Sequence, residues 1–275
     1  LLKLIYQNRV GTYFSWLAVM LIDNYYMGWM IAIFTFLFFL WQTPALASWR
    51  QRGVIFLRYL SSSLLAAGIS AVILLPTFYA LMQSKGTYTE TKIHSRFEYF
   101  APKMLGKLVP GSFNFNQMPS GQPNIYIGML LMLGACLYFF NNRFDLRRRL
   151  IGAAISIFFI FSFCYEPLDL LWHAGQFPVW YPYRFSYLFS FWCIYLAAKV
   201  LQPDFKIKKR SAMILTLLII AVYWYVGTLN LSYINSNQRN IGLCFALIAV
   251  SCLCIPRTNS PRLYDALLVL LAVCD

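Results

Sequence analysis

The chain has 275 residues, of which 60% are hydrophobic, 19% aromatic and 12% charged, and its mean hydropathy is +0.60. A soluble domain carries about 25% charged residues, so this composition excludes an ordinary soluble domain and points to lipid as the solvent. The net charge of +14, from 23 Lys and Arg against nine Asp and Glu, reads as the basic cytoplasmic loops of a membrane protein rather than as a nucleic-acid-binding surface.

Apolar runs near the length that crosses about 30 Å of hydrocarbon predict spans at 10–22, 25–41, 54–75, 125–140, 150–163, 185–201, 211–226 and 241–255, with a ninth beginning at Leu263. The expected fold is all-α: a polytopic transmembrane helix bundle of about nine spans, forming a single transmembrane domain over 1–275. The runs 10–22 and 150–163 are short for a crossing, so their flanks must extend them, the bilayer must thin, or neighbours must shield them. The chain opens Leu-Leu-Lys without a Met and stops at Asp275 after an apolar run, so it is expected to be an interior piece truncated at both ends. The seven cysteines sit in or beside apolar runs without paired spacing; they read as small core hydrophobes, and neither a disulfide framework nor a metal site is expected.

Cations set the orientation. Lys3, Arg9, Arg50, Arg52, Arg58, Arg143, Arg147–Arg149, Lys199, Lys206, Lys208–Arg210, Arg257 and Arg262, sixteen of the 23, fall on one side of the nine-span arrangement. That side is assigned to the cytoplasm. The outer face then carries 83–124, 164–184 and 227–240, with seven cations and the acids Asp23, Glu90, Glu98, Glu166 and Asp169.

The segment 83–124 is long for a loop without structure of its own. It contains Lys85-Gly-Thr-Tyr, His94-Ser-Arg-Phe-Glu-Tyr-Phe and Pro119-Ser-Gly-Gln-Pro. Phe97, Tyr99, Phe100, Met104, Leu105 and Leu108 are expected to form the apolar side of a short interfacial helix, with Lys103 and Lys107 turned toward lipid headgroups. His94, Arg96 and Glu98 are too loosely spaced to specify a catalytic set.

The segment 164–184 is read as re-entrant or interfacial. Trp172, Phe177, Trp180, Tyr181 and Tyr183 cluster where a span meets water, as in an aromatic belt. Gly175, Pro178 and Pro182 forbid a continuous helix there, so protein or a wet cavity must shelter the backbone. Arg184 stands at the threshold of an apolar run and needs an anion: Glu166, Asp169, a lipid headgroup or a phosphorylated substrate, whose oxygens a planar guanidinium fork matches. Asp169 precedes His173 by four residues, so on a helix the carboxylate meets the imidazole. Asp23-Asn24-Tyr25-Tyr26 reads as the polar turn of a hairpin. Phosphate-binding glycine loops, zinc-protease and serine-hydrolase motifs are absent from the sequence.

The run Trp172-His-Ala-Gly-Gln-Phe-Pro-Val-Trp-Tyr-Pro-Tyr-Arg-Phe-Ser-Tyr-Leu-Phe-Ser-Phe191 resembles the bacterial YfhO-like membrane protein family, and Asn24-Tyr25-Tyr26-Met27-Gly28, Leu74-Leu75-Pro76-Thr77 and Asn124-Ile-Tyr-Ile-Gly128 fit it in the same order. The family is similar to the GT-C class of polytopic glycosyltransferases, which take a sugar from a polyprenyl phosphate on the outer face of the membrane. The resemblance implies transfer to a cell-envelope polymer such as lipoteichoic acid in the bacterial cell membrane, with no cofactor and with other envelope glycosylation proteins as further partners. It also implies Arg184 as a phosphate contact, and His173, Gln176 and Trp180 as lining of the donor or acceptor pocket, with Gln176 suited to sugar hydroxyls and Trp180 to a sugar face. The catalytic acid of GT-C enzymes usually lies in an early outer loop that this chain does not carry; Asp23, Glu166 and Asp169 are local substitutes, none assigned as the base. A flippase or transporter of lipid-linked sugars and a non-catalytic scaffold are the alternatives.

Overall fold

The computed structural model describes residues 1–43, 48–84, 93–119, 121–178, 180–202, 207–255 and 261–274. Lys85-Gly-Thr-Tyr, Glu90, Lys92, Ser120, Lys206 and Arg257 lie outside the described residues. Among the described residues the regular elements are helical and none is a strand. In chain order they are α1 (Leu2–Gln7), α2 (Val10–Asp23), α3 (Tyr25–Gln42), α4 (Trp49–Ser84), two 3-10 helices (Ala101–Leu108 and Phe115–Gln117), α5 (Met129–Phe140), α6 (Leu146–Ser162), α7 (Glu166–Trp172), α8 (Ser186–Val200), α9 (Lys209–Thr228), α10 (Ser236–Cys254) and α11 (Pro261–Cys274).

The chain forms two compact units, Leu1–Arg96 with Leu146–Pro178 and Phe97–Asp145 with Val179–Asp275. In the first unit, α1 and α2 bury Leu4, Ile5, Tyr13, Leu17 and Leu21 against Phe39 of α3 and Ile55, Tyr59 and Ala66 of α4. Hydroxyls inside an apolar bundle must find partners or cost free energy. Tyr13 accordingly meets Ser63 at 3.0 Å, Thr35 meets Tyr59 at 3.3 Å, and Ser70 donates to the Ala18 carbonyl at 3.2 Å. A second network joins α1, α3 and α6: Tyr6 donates to Gln42 at 2.8 Å, and Arg148 donates to the same amide oxygen at 3.0 Å. In the second unit, α5 and α8 pack at the closest approach small residues permit, where a Cβ on Gly134 would stand 3.0 Å from the Cβ of Ala197.

All nine apolar runs fall on helices, but not on nine helices of crossing length. Among the described residues four helices are long and apolar enough to cross: Tyr25–Gln42, Trp49–Gln83, Lys209–Thr228 and Ser236–Cys254. The remaining runs form helices of 12 to 17 residues, roughly 18–26 Å at 1.5 Å per residue and short of the hydrocarbon thickness. The run 125–140 shows why hydropathy overreads. Its first four residues are not helical, because Gly128, at φ 87°, breaks the backbone just before α5. The opposite holds at α4, whose 36 residues extend for about 54 Å, far beyond the apolar stretch 54–75. Opposite the face that buries Ile55, Tyr59 and Ala66, it stays uncovered, with Leu57, Leu64, Leu65, Val72 and Leu75 all exposed, the surface of a helix solvated by lipid. Cys164 and Cys193 are buried as expected, whereas Cys244, Cys254 and Cys274 are exposed on apolar helices. A lipid-facing helix surface accepts small apolar side chains as readily as a core does.

Candidate functional site

α7 stops after Trp172 because the next residues turn left-handed: Ala174 has φ 54° and Gly175 φ 78°. Helix resumes only at Ser186. Between them Pro178 and Pro182 remove amide donors, and two tyrosines adopt the same disfavoured region, Tyr181 at φ 52° and Tyr183 at φ 62°. Such residues persist only where their surroundings hold them. Both tyrosines are held within the second unit by the segment 98–118. The Tyr181 amide donates to the Met118 carbonyl at 2.8 Å, and its hydroxyl reaches the Met118 sulfur at 3.3 Å. Tyr183 is buried, donates its hydroxyl to Glu98 Oε2, and meets Tyr99 edge-on at 5.9 Å.

Arg184 projects from this strained segment. It is exposed and its Nη2 donates to the Trp180 backbone carbonyl at 2.8 Å, which holds the guanidinium against the chain just ahead of the α8 N-terminus; the Trp180 residue itself is half-exposed (50%). Cation and helix start both favour a bound anion. The two carboxylates expected as partners of Arg184 are engaged elsewhere. Glu166 binds Arg96 and His94, and Asp169 faces His173.

His173 and Gln176 belong to the first unit. His173 caps α7 with 0% exposure, so its ring is enclosed by protein. Its Nε2 lies 3.4 Å from Asp169 Oδ1, the i, i+4 relation that a helix imposes. Its Nδ1 is bonded to the Tyr26 hydroxyl, with the two rings stacked at 5.6 Å. Trp29, one turn along α3 from Tyr26, donates its indole N–H to the Leu171 carbonyl at 2.9 Å. Asn24 caps α3 by accepting the Met27 amide at 3.0 Å. Burial works to raise the Asp169 carboxyl, and its pKa lies above the ordinary range although His173 opposes the shift. Gln176 is exposed, its amide donating to the His173 carbonyl at 3.1 Å.

Trp172 corrects the aromatic-belt reading. It is fully buried and stacks on Phe159 at 5.1 Å, so it belongs to the core of the first unit, whereas Trp180 and Tyr181 remain exposed.

Glu166, 2% exposed, closes the first unit. Its Oε2 accepts from Arg96 Nε at 2.6 Å and its Oε1 from the His94 amide at 2.7 Å. Burial alone would raise this carboxyl, but the His94 amide, the Arg96 guanidinium and the attendant charges outweigh it and hold the pKa below the usual glutamate range. The sign follows from linkage: a depressed acid contributes stability that is present above its unfolded pKa and is lost as pH falls through the folded one. Glu166→Gln is expected to destabilise the protein by about 1–3 kcal/mol at pH 7, with the gap from wild type closing below pH 4 or so. Thermal unfolding at the two pH values measures it, and an equal gap at both would refute the assignment.

Lys107 corrects the interfacial-helix reading. The 3-10 helix Ala101–Leu108 forms where a short helix was expected, and Lys103 is exposed, but Lys107 is 0% exposed. The ammonium bonds to the Ser112 carbonyl at 3.0 Å and to Gln117 Oε1, and lies 4.4 Å from the centre of the Tyr233 ring. Aromatic faces and carbonyl oxygens hold this cation in place of headgroups.

Among the described residues no three of His, Cys, Asp and Glu are placed to share a metal ion. The structure brings together groups that the sequence kept apart. Tyr26 meets His173, Glu98 meets Tyr183, and His94 with Arg96 meets Glu166. The local signal for these was that each partner lies in a segment between apolar runs.

Long apolar helices with lipid-type faces, hydroxyls tied inside the bundle and irregular, aromatic-rich backbone between α7 and α8 define a polytopic helical membrane protein. The family described as bacterial membrane protein YfhO matches residues 1–274, and the chain belongs to that family. No curated protein and no solved structure matches the chain.

Proposed function

We propose that this YfhO-family protein is a GT-C-type glycosyltransferase that moves a sugar from a polyprenyl phosphate to a cell-envelope polymer, lipoteichoic acid being the model acceptor, on the outer face of the bacterial membrane. The observation that carries the reading is the exposed Arg184 guanidinium, held by the Trp180 backbone carbonyl on strained backbone ahead of a helix N-terminus. A leaving monophosphate gains negative charge as the glycosidic bond to it breaks, and a preorganised cation stabilises that charge without a metal. The half-exposed Trp180 offers a flat apolar face suited to a sugar ring. The sixteen cations that the sequence assigns to the cytoplasmic side support an outer position for 83–124 and 164–184.

The test is reconstitution of the full-length protein in liposomes with a polyprenyl-phosphate-linked sugar and a polyglycerol-phosphate acceptor. Glycosylated polymer and free polyprenyl phosphate are expected in equal amounts. Movement of the donor across the bilayer without acceptor would replace this reading with a transporter, and neither product nor transport would replace it with a scaffold.

A further inference from the structure

Tyr26, His173 and Asp169 form a chain of ionisable groups, two of them enclosed by protein and the third half-buried. Asp169 is 2% and His173 0% exposed, whereas Tyr26 is half-buried. With the ring proton on Nε2, which faces Asp169 Oδ1 at 3.4 Å, His173 presents Nδ1 as the acceptor for the Tyr26 hydroxyl. A carboxylate behind an imidazole orients the ring and stabilises it once protonated. An imidazole sealed from solvent acts on a substrate only through the group in front of it, here the Tyr26 phenol. The clamp from Trp29 to the Leu171 carbonyl holds α3 against α7 and keeps that hydrogen bond in register.

We infer that these residues are a proton relay for the transfer reaction, with the Tyr26 oxygen touching the acceptor hydroxyl and with His173 and Asp169 as positioning residues behind it; this rests on the glycosyl-transfer reading above. The acceptor oxygen bonds to the anomeric carbon of the donor sugar as its O–H bond breaks. That proton passes to the Tyr26 oxygen while the phenolic proton passes to His173 Nδ1. The bond from anomeric carbon to phosphate breaks, and its electron pair leaves with the polyprenyl phosphate. One positive charge gained on the imidazole matches the one negative charge gained on the phosphate, and the imidazolium returns its proton to water before the next turnover. A base of this kind supplies the proton acceptor that neither Asp23 nor Glu166 was assigned to be.

The experiment uses the full-length protein in the liposome assay with the same donor and acceptor. Tyr26→Phe removes one oxygen and keeps the ring. It is expected to lower kcat by about 100-fold or more while the donor KM stays within about twofold. Asp169→Asn is expected to move the acid limb of kcat against pH, a readout that a packing role leaves in place. The other charged groups around α7 are Glu166, which Asp169 senses electrostatically, with Arg96 and His94 paired to it; Asp23 ends the helix before α3. Glu166→Gln is therefore run alongside as the control for that charge, and its acid limb is expected to move less than that of Asp169→Asn. Wild-type kcat in Tyr26→Phe, or an unmoved limb in Asp169→Asn, overturns the relay and leaves the transfer reading standing. An inactive wild type overturns the transfer reading itself. If Tyr26→Phe does not insert, His173→Gln with Asp169→Asn carries the same test.

Discussion

Replacing Arg184 with Ala in the intact protein is expected to lower polymer glycosylation by about 10²–10³-fold in kcat with membrane insertion and thermal stability unchanged. The side chain is exposed, and substitutions on an exposed surface shift stability within about 0.5 kcal/mol, so the loss would be chemical. Arg184→Lys separates charge from shape. A lysine keeps the cation but offers a point charge in place of the fork that grips two phosphate oxygens, so it should recover part of the rate with a raised donor KM. The bond from Nη2 to the Trp180 carbonyl adds a second expectation. The acceptor is a backbone carbonyl, so Trp180→Ala keeps the arginine's anchor and should raise the donor KM only by removing the ring proposed for the sugar, whereas Trp180→Phe keeps a flat face and should sit close to wild type. Donor turnover by reconstituted variants measures all four. Wild-type turnover in Arg184→Ala would remove the phosphate role from this residue and with it the main support for the transfer reading.

Local rules made some parts of this protein legible in its sequence and left others out of reach. Each predicted apolar run falls mostly on a helix among the described residues, and the i, i+4 spacing of Asp169 and His173 anticipated their contact once α7 was helical. Gly175, Pro178 and Pro182 correctly forbade helix between Trp172 and Ser186. Hydropathy could not separate a crossing helix from a shorter one that leans on neighbours, which is why nine runs yield four helices of full length. Burial of single polar or aromatic residues was equally hidden. Trp172 and Trp180 look alike in a belt, yet one stacks in the core and the other faces out. Pairings across long stretches of chain, 147 residues between Tyr26 and His173 and 70 between Arg96 and Glu166, leave no periodic trace in one sequence. They are set by how α3 packs on α7 and by where the chain enters α7. The strained Tyr181 and Tyr183 follow from the same cause, since the segment 98–118 that holds them is remote in sequence.

Lys107→Ala is expected to be among the most destabilising single changes in the second unit, about 2–4 kcal/mol at pH 7 by the scale of buried large-to-small substitutions. The aliphatic stem fills a fully buried position, and the ammonium ties Ser112 and Gln117 to the 3-10 helix while lying against Tyr233 and Phe113. Loss of all these contacts should also release 112–117, read as faster amide exchange there. Lys107→Met keeps the volume and removes the charge, so it should cost less than about 1.5 kcal/mol or even stabilise, because a buried cation without a carboxylate partner is a liability. The pH dependence gives a sharper distinction. Burial pushes the Lys107 pKa down to about 8 from an ordinary 10.5, so between those values the unfolded chain binds a proton that the folded chain does not. Stability then rises with pH across that window, while burial pushes Tyr233 up to about 12 and keeps it neutral there. Wild type should therefore gain thermal stability relative to Lys107→Met between pH 8 and 10, measured by unfolding in detergent micelles. Parallel curves would show that the cation is solvated in the folded protein. The Lys107→Ala loss would then reflect packing alone.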